Sequence, residues 1–155
     1  MIAYLRIKPN SFSPAIYFDK KYDTINDELL TTYSKQYVKT MCQLSAHNPL
    51  FITAPIPEMR LNVPNTMARR AAINGVLDEI KIKIEFYNKR NEFIFNLNNK
   101  VSQECSATIL DTSKYLCDKK YCYGSLNGRP LYYDGDHLSE YGNKLLIPMF
   151  KNAMR

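Results

Sequence analysis

The sequence predicts an α/β domain in which helices cover a parallel sheet. Short apolar segments of strand length alternate with helical periodicities, in the order strand, helix, strand, helix, strand, loop, helix. This alternation is typical of parallel sheets, because a crossover connection must bring each strand back to the same edge. The length of 155 residues and the 45% share of hydrophobic residues suit one domain with a substantial core.

Three apolar runs are the strand candidates. They cover residues 1–7, 50–53 and 107–111, and each is rich in β-branched side chains. The second run continues into APIPEM, where Pro55 and Pro57 force the chain into an extended loop. In α/β folds, ligands gather where parallel strands end. We therefore expect the functional site near this proline-rich loop.

Helical periodicity covers three further stretches. Apolar residues recur every three or four positions from 26 to 47, with Asp23 or Asn26 near the start as a cap. Residues 65–99 are predicted to be mostly helical, with an interruption at Gly75. Within them IKIKI, residues 80–84, also alternates as a strand would, but its solvated flanks and lack of turn residues favour helix. A closing helix follows His137, and Pro148 should bend or shorten it.

Charge and glycine content exclude several classes of function. The net charge is +6, but the 21 Lys and Arg residues are scattered along the chain, which indicates a solvated basic surface. Only five glycines are present and they form no phosphate-binding loop, so we expect neither a nucleic-acid partner nor a nucleotide cofactor. No apolar run approaches the ~20 residues that cross a bilayer, and the first residues do not resemble a signal peptide.

Four cysteines are present, two of them close together in LCDKKYC. The spacing of Cys117 and Cys122 does not match a zinc knuckle. A local disulfide between them would indicate an oxidising compartment. Reduced thiols in a loop fit the spacing about equally well.

Asp134, Asp136 and His137 lie together just before the closing helix. Residues three apart in a turn share a face, so the Asp134 carboxylate can accept a hydrogen bond from Nδ1–H of His137. That bond would fix the tautomer, so that Nε2 can act as a base. We expect Ser139 to cap the helix and Gly142 to allow close approach of a neighbouring backbone.

Two other interpretations of this cluster stay open. A metal site built from Asp134, Asp136 and His137 is less favoured, because the other histidine, His47, lies on a distant helix. A purely structural histidine with a hydrogen-bonded partner is the usual explanation for an arbitrary Asp-x-x-His. The wider sequence around the motif bears on this choice.

The stretch PLYYDGDHLSEYGNKLL, residues 130–146, resembles the last block of the SGNH hydrolase superfamily. More narrowly, it resembles SGNH domains fused to integral-membrane O-acyltransferases that acylate bacterial surface glycans. APIPEM resembles the family's proline-rich loop, and LCDKKYC its cysteine-containing loop. The resemblance implies a three-layer α/β/α sandwich, with Asp134 and His137 as the acid and base of a Ser-His-Asp triad and no cofactor.

The nucleophile of that family lies in a Gly-Asp-Ser block that has no counterpart in these 155 residues. Ser125 follows a glycine but stands in the wrong chain order. The resemblance therefore implies one partial domain over residues 1–155, lacking the family's first strand and its serine. Ser11, Ser13 and Ser125 would be the first alternatives to test.

The resemblance also implies the role of the parent protein. It would transfer an acyl group, usually acetyl, from a donor to a sugar hydroxyl at the periplasmic face of the inner membrane, with a membrane acyltransferase domain as partner. Two alternatives are a catalytically inactive remnant with a glycan-binding cleft and a basic module that binds an anionic polymer. Only the net charge favours the latter.

Overall fold

A computed structural model describes Phe18, residues 20–75 and residues 78–154. The strand predicted for residues 1–7 lies outside the described residues. Ser11 and Ser13, which follow it, lie outside them as well. Along the described part the elements are α1 (Asp27–Ser45), β1 (Phe51–Thr53), α2 (Val63–Asn74), β2 (Lys81–Lys83), α3 (Ile84–Cys105), β3 (Thr108–Leu110), α4 (Ser113–Leu116), β4 (Tyr121–Tyr123), β5 (Ser125–Leu126), β6 (Arg129–Pro130) and α5 (Glu140–Ala153).

The centre of the fold is a parallel pair formed by β1 and β3, in which Ile52 lies opposite Ile109. Both residues pack on one face against Val101 of α3, next to α1. On the other face, Leu110 packs against Leu146 of α5 and the buried side of α2. Helices therefore cover both faces of a parallel strand pair, as the alternation along the sequence predicts.

Side-chain caps begin the helices that frame this core. The Asn26 side chain accepts a hydrogen bond from the Leu29 backbone N–H at 2.9 Å, and the Ser139 hydroxyl accepts one from Gly142 N–H at 3.2 Å. The sequence predicts both caps correctly. Helix α5 continues through Pro148 to Ala153, so of the two effects predicted for this proline, a bend or a shortening, the shortening does not occur. Pro148 is exposed, where water can satisfy the carbonyl that loses its partner.

The helix favoured for residues 80–84 is also wrong. Helix α2 ends at Gly75, whose φ of 67° is the left-handed conformation that glycine favours at helix ends. Strand β2 follows and pairs antiparallel with β4, Ile82 lying opposite Cys122. Ile82 packs against the core while Lys81 and Lys83 are exposed, so the alternation in IKIKI was the stronger signal.

The segment between the third predicted strand and the closing helix, residues 112–133, is expected from the sequence to be mostly loop, but it carries short strands. Strands β5 and β6 form a hairpin whose turn residues, Asn127 and Gly128, have φ of 52° and 71°. Positive φ at both positions is typical of the tight Asn-Gly turn. This hairpin leads directly into the segment that carries Asp134 and His137.

Candidate active site

The proline-rich loop after β1 is held by hydrogen bonds to its carbonyl groups. The Pro55 carbonyl accepts from the Tyr87 hydroxyl at 2.8 Å and from Thr112 Oγ1 at 2.9 Å. The Pro57 carbonyl accepts from the buried hydroxyl of Tyr132. Burial raises the pKa of Tyr87 to about 12, so this donor keeps its proton at neutral pH. The loop is thereby fixed to α3, to the end of β3 and to the segment before Asp134.

The segment with Asp134 and His137 is closed as a small antiparallel loop. Tyr132 bridges Leu138, and the Tyr133 N–H donates to the His137 carbonyl at 2.8 Å. At the base of the loop, Ser139 N–H donates to the Leu131 carbonyl at 2.9 Å. Residues 133–137 therefore form the tip, and we call them the site loop.

The site loop lies directly against the start of α2. Val63 N–H donates to the Asp134 carbonyl at 2.8 Å, and Met59 N–H donates to the Gly135 carbonyl at 2.6 Å. A Cβ atom on Gly135 would lie 2.7 Å from the Met59 carbonyl oxygen, so only glycine fits without displacing backbone. The loop backbone is thus held at two points by the segment that leads into α2.

The Asp134 carboxylate organises the loop through both of its oxygens. Its Oδ1 accepts from the N–H groups of Asp136 and His137, each at 2.9 Å. Its Oδ2 lies 2.9 Å from Nδ1 of His137. These hydrogen bonds, that from the Asp136 N–H first and that from the imidazole second, hold the pKa of Asp134 well below its ordinary value. The group is therefore a carboxylate at neutral pH.

This geometry suits acid–base chemistry. A carboxylate that accepts from Nδ1–H fixes the imidazole tautomer and stabilises the imidazolium that forms when Nε2 takes up a proton. The spacing of Asp134 and His137 predicts this hydrogen bond, and the structure contains it.

Asp136 adds a second carboxylate, with Oδ1 at 3.3 Å from Nδ1 of His137. Ligand atoms of Asp134, Asp136 and His137 all lie within 4.8 Å of one another, so the three could also surround a cation. Both Asp134 oxygens, however, already accept hydrogen bonds within the loop. The arrangement fits an acid–base pair better than a metal centre.

The pair is open to large substrates. The His137 side chain is 72% exposed and that of Asp134 41%. Beside them is a cleft of about 280 Å³, lined by residues 58–62 and 134–136. Its lining includes Glu58, which forms an ion pair with Arg90 of α3, and the exposed residues Arg60 and Asn62. A shallow polar cleft of this kind can accept part of a polymer.

Ser125 does not belong to this site as a nucleophile. It is 1% exposed, and its hydroxyl oxygen accepts a hydrogen bond from Ile80 N–H at 2.8 Å. The hydroxyl therefore holds β5 against the residue before β2. His47 lies exposed in the turn after α1, outside the Asp134–Asp136–His137 cluster.

Sequence reasoning missed the groups that fix the site loop. These are the Tyr132 hydroxyl, the Pro57 carbonyl and the tight contact at Gly135. A usable signal was the pair Tyr132–Tyr133 just before Asp134, because adjacent residues in a strand point to opposite sides. One tyrosine of such a pair must face the core, where its hydroxyl needs a partner.

Two disulfides are present in the described residues. Cys117 is joined to Cys122, the pair considered from the sequence, and their Cα atoms lie 3.9 Å apart. Cys42 of α1 is joined to Cys105 of α3, which are 63 residues apart and were not paired in the sequence analysis. No helix in the described residues has the length and apolar character needed to cross a bilayer.

Comparison with known proteins identifies the family. The family described as "SGNH domain (fused to AT3 domains)" matches residues 4–152. The periplasmic domain of the lipopolysaccharide acetyltransferase from Salmonella ser. Paratyphi A superposes with a TM-score of 0.61 at 16% identity, over 85% of this chain and 52% of that one. The chain thus spans about half of that structure, and at this identity the likeness concerns the fold alone. No curated protein matches the sequence. By its match over nearly the whole length, the chain belongs to the SGNH domains that are fused to AT3 domains.

Proposed function

We propose that this chain supplies the acid–base pair of an acyltransferase, with Asp134 and His137 as two members of a Ser-His-Asp triad. The observation that carries the proposal is the 2.9 Å hydrogen bond from His137 Nδ1 to Asp134 Oδ2. It lies on a loop with a fixed backbone, beside a polar cleft. Membership of a family fused to AT3 domains supports the same role.

In the proposed reaction, Nε2 of His137 takes the proton of a serine hydroxyl as its oxygen attacks the acyl carbonyl of the donor. The proton then passes to the leaving group as the donor bond breaks, which leaves an acyl-serine. In the second half, Nε2 takes the proton of a sugar hydroxyl, whose oxygen attacks the acyl-serine. The serine leaves with the proton, and Asp134 stabilises the imidazolium in both halves.

Under this proposal the serine comes from outside the described residues. The sequence contains no Gly-Asp-Ser block, and the Ser125 hydroxyl is buried. Ser11 and Ser13 are the candidates within this chain, and a separate segment or domain is the other source.

The proposed acceptor is a hydroxyl of a cell-surface polysaccharide, and the proposed acyl group is acetyl. The solved relative in fold is a lipopolysaccharide acetyltransferase domain from the periplasm, which supports both choices and this compartment. Two disulfides suit an oxidising compartment. An AT3 membrane domain would deliver the acyl group to the site.

A glycan-binding module without catalysis is the second candidate. It is favoured by the burial of Ser125 and by the absence of a Gly-Asp-Ser block from the sequence. The two functions differ in whether His137 matters for acylation, and the experiment below separates them.

The test measures the O-acetyl content of surface polysaccharide from host cells in which the gene is intact or mutated. We expect His137→Ala to reduce acetylation by about 10³-fold or more, to background. His47→Ala is the matched control, because it removes the other histidine from an exposed turn, and it should leave acetylation unchanged. Normal acetylation with His137→Ala would contradict the proposal.

A second measurement locates the serine. The purified 155-residue chain is assayed for hydrolysis of an activated acetyl ester, beside His137→Ala. We expect background rates from both. Hydrolysis that disappears in the variant would instead assign the nucleophile to this chain, with Ser11 and Ser13 the first to replace.

A further inference from the structure

Tyr133 is a large aromatic side chain that the structure leaves at the surface next to the acid–base pair. It is 69% exposed, although its neighbour Tyr132 is fully buried. An isolated exposed aromatic on a protein surface needs no explanation. Its position relative to His137 is what calls for one.

The pairing of the loop strands places Tyr133 and His137 on one face. Tyr132 and Leu138 are cross-strand neighbours, and both pack into the core. Side chains alternate along each strand, so the next pair outward, Tyr133 and His137, must project to the opposite side. Their exposures of 69% and 72% agree with this. The ring therefore lies on the solvent side where His137 would act.

The backbone that carries this ring is rigidly held. Tyr133 N–H donates to the His137 carbonyl at 2.8 Å, and the preceding Tyr132 hydroxyl donates to the Pro57 carbonyl. The following residue, Asp134, is fixed to Val63. Because its backbone is already fixed, the Tyr133 side chain loses little conformational freedom when a ligand covers its ring.

We infer that Tyr133 is a substrate-positioning residue, on which a pyranose ring of the acceptor glycan stacks while its hydroxyl reaches Nε2 of His137. The inference rests on the proposed function and names the face that receives its acceptor. The C–H groups on one side of a sugar ring carry partial positive charge and contact the negative face of an aromatic ring. Hydroxyl groups at the edge of the sugar can bind the polar cleft, which begins one residue along the chain at Asp134.

The charge of the cleft favours the acceptor over the acyl donor. The carboxylates of Glu58, Asp134 and Asp136 line it, and Glu58 forms an ion pair with Arg90. The two aspartates therefore stand against one cation of the lining, Arg60. Carboxylates accept hydrogen bonds from sugar hydroxyls. They repel the phosphate groups of a donor such as acetyl-coenzyme A, so a sugar ring is the better match for Tyr133.

The test is binding of surface polysaccharide, de-O-acetylated with mild base, to the purified 155-residue chain, measured by isothermal titration calorimetry and saturation-transfer NMR. We expect Tyr133→Ala to weaken binding about tenfold and Tyr133→Phe to keep it, because the π face is retained. Phe150→Ala is the control, since Phe150 is an exposed aromatic residue (41%). It lies ten residues, or about 15 Å, beyond the first residue of α5. This variant should bind as the wild type does.

Three outcomes would overturn the inference. The first is equal binding of the polysaccharide by Tyr133→Ala and wild type, and the second is no binding of it by the wild type. The third, seen when acetyl-coenzyme A is titrated in the same way, is that Tyr133→Ala weakens the binding of acetyl-coenzyme A alone. A tenfold loss with Tyr133→Ala, in a protein whose acetylation is insensitive to His137→Ala, would support the inference and refute the proposed function.

Discussion

Two loops of this protein are built on an aspartate in nearly the same way. In the first, Asp118 Oδ1 accepts from the N–H groups of Lys120 and Tyr121, at 2.7 and 2.6 Å, and Oδ2 accepts from the Tyr123 hydroxyl. In the site loop, Asp134 Oδ1 also accepts from two backbone N–H groups, and Oδ2 lies at hydrogen-bond distance from Nδ1 of His137. The two carboxylates differ mainly in the side chain that each one holds.

That difference decides what each loop can do. The hydrogen bond with Asp118 raises the pKa of Tyr123 to about 12, so the phenol keeps its proton throughout the physiological range. An imidazole titrates ordinarily near pH ~6.5 and can exchange its proton during a reaction. The same carboxylate geometry therefore holds a phenol in a structural turn and, under the proposed function, the imidazole of an acid–base pair.

The strongest test of this comparison replaces each aspartate by asparagine. In Asp134→Asn the amide oxygen can still accept from the loop backbone, but the amide nitrogen faces Nδ1 and favours the wrong tautomer. We expect acetylation of surface polysaccharide to fall about 10³–10⁴-fold. Asp118→Asn should leave the rate unchanged. Similar rates for the two variants would remove the functional distinction between the loops.

The loops also differ in how they are closed, which the disulfides allow us to measure. The Asp118 loop is bounded by Cys117–Cys122, whereas the site loop is closed by packing and hydrogen bonds. We expect removal of that short crosslink by Cys117→Ala/Cys122→Ala to lower the free energy of unfolding by about 2 kcal/mol, with acetylation retained where the protein stays folded.

The Cys42–Cys105 disulfide is the reference against which the effect of removing the shorter one is compared. Cys42 and Cys105 are 63 residues apart, so their removal should cost about 4 kcal/mol because a larger unfolded-state loop is released. Urea denaturation of the two double variants checks both values. The opposite order of destabilisation would show that the short crosslink does more than restrict the unfolded chain.

The smallest expected effect is on the pH dependence of stability. The hydrogen bond from Tyr123, followed by those from Lys120 and Tyr121, lowers the pKa of Asp118 to about 2. Its contribution is complete above the unfolded value near pH ~4 and is lost as the pH falls through 2. The contribution of Tyr123, whose pKa is raised, is complete below pH ~10 and is lost as the pH rises through 12.

The measurement is the urea midpoint of wild type and Tyr123→Phe from pH 2 to pH 11. The variant lacks the largest cause of the Asp118 shift, so its midpoint should vary less with pH at both ends of the range. Identical pH profiles would mean that this hydrogen bond does not couple to folding.

The features that the sequence predicts correctly depend on residues close together in the chain. The caps Asn26 and Ser139 lie three residues from the groups that they bind, and Asp134 lies three from His137. Strands β1 and β3 are apolar runs that need no knowledge of their partners. The resemblance seen in the sequence, too, depends most on one contiguous block near the end of the chain.

The features that the sequence analysis missed depend on distant partners. Strand β2 exists because β4, about forty residues later, supplies its hydrogen bonds, and a local preference for helix could not reveal this. The Cys42–Cys105 disulfide likewise depends on α1 and α3 packing side by side. The anchoring of the site loop by Pro57 and Tyr132 spans 75 residues.

The exposure of His137 has a consequence for the outcome of the proposed reaction. An acyl-serine beside an imidazole that faces solvent can be attacked by water as readily as by a sugar. Attack by water hydrolyses the ester and releases the acyl group as the free acid, so no transfer takes place. Transfer then prevails only while a bound acceptor keeps water away from the ester. In an open site of this kind, the glycan itself would set the partition between transfer and hydrolysis, by covering the catalytic pair before the ester can be lost.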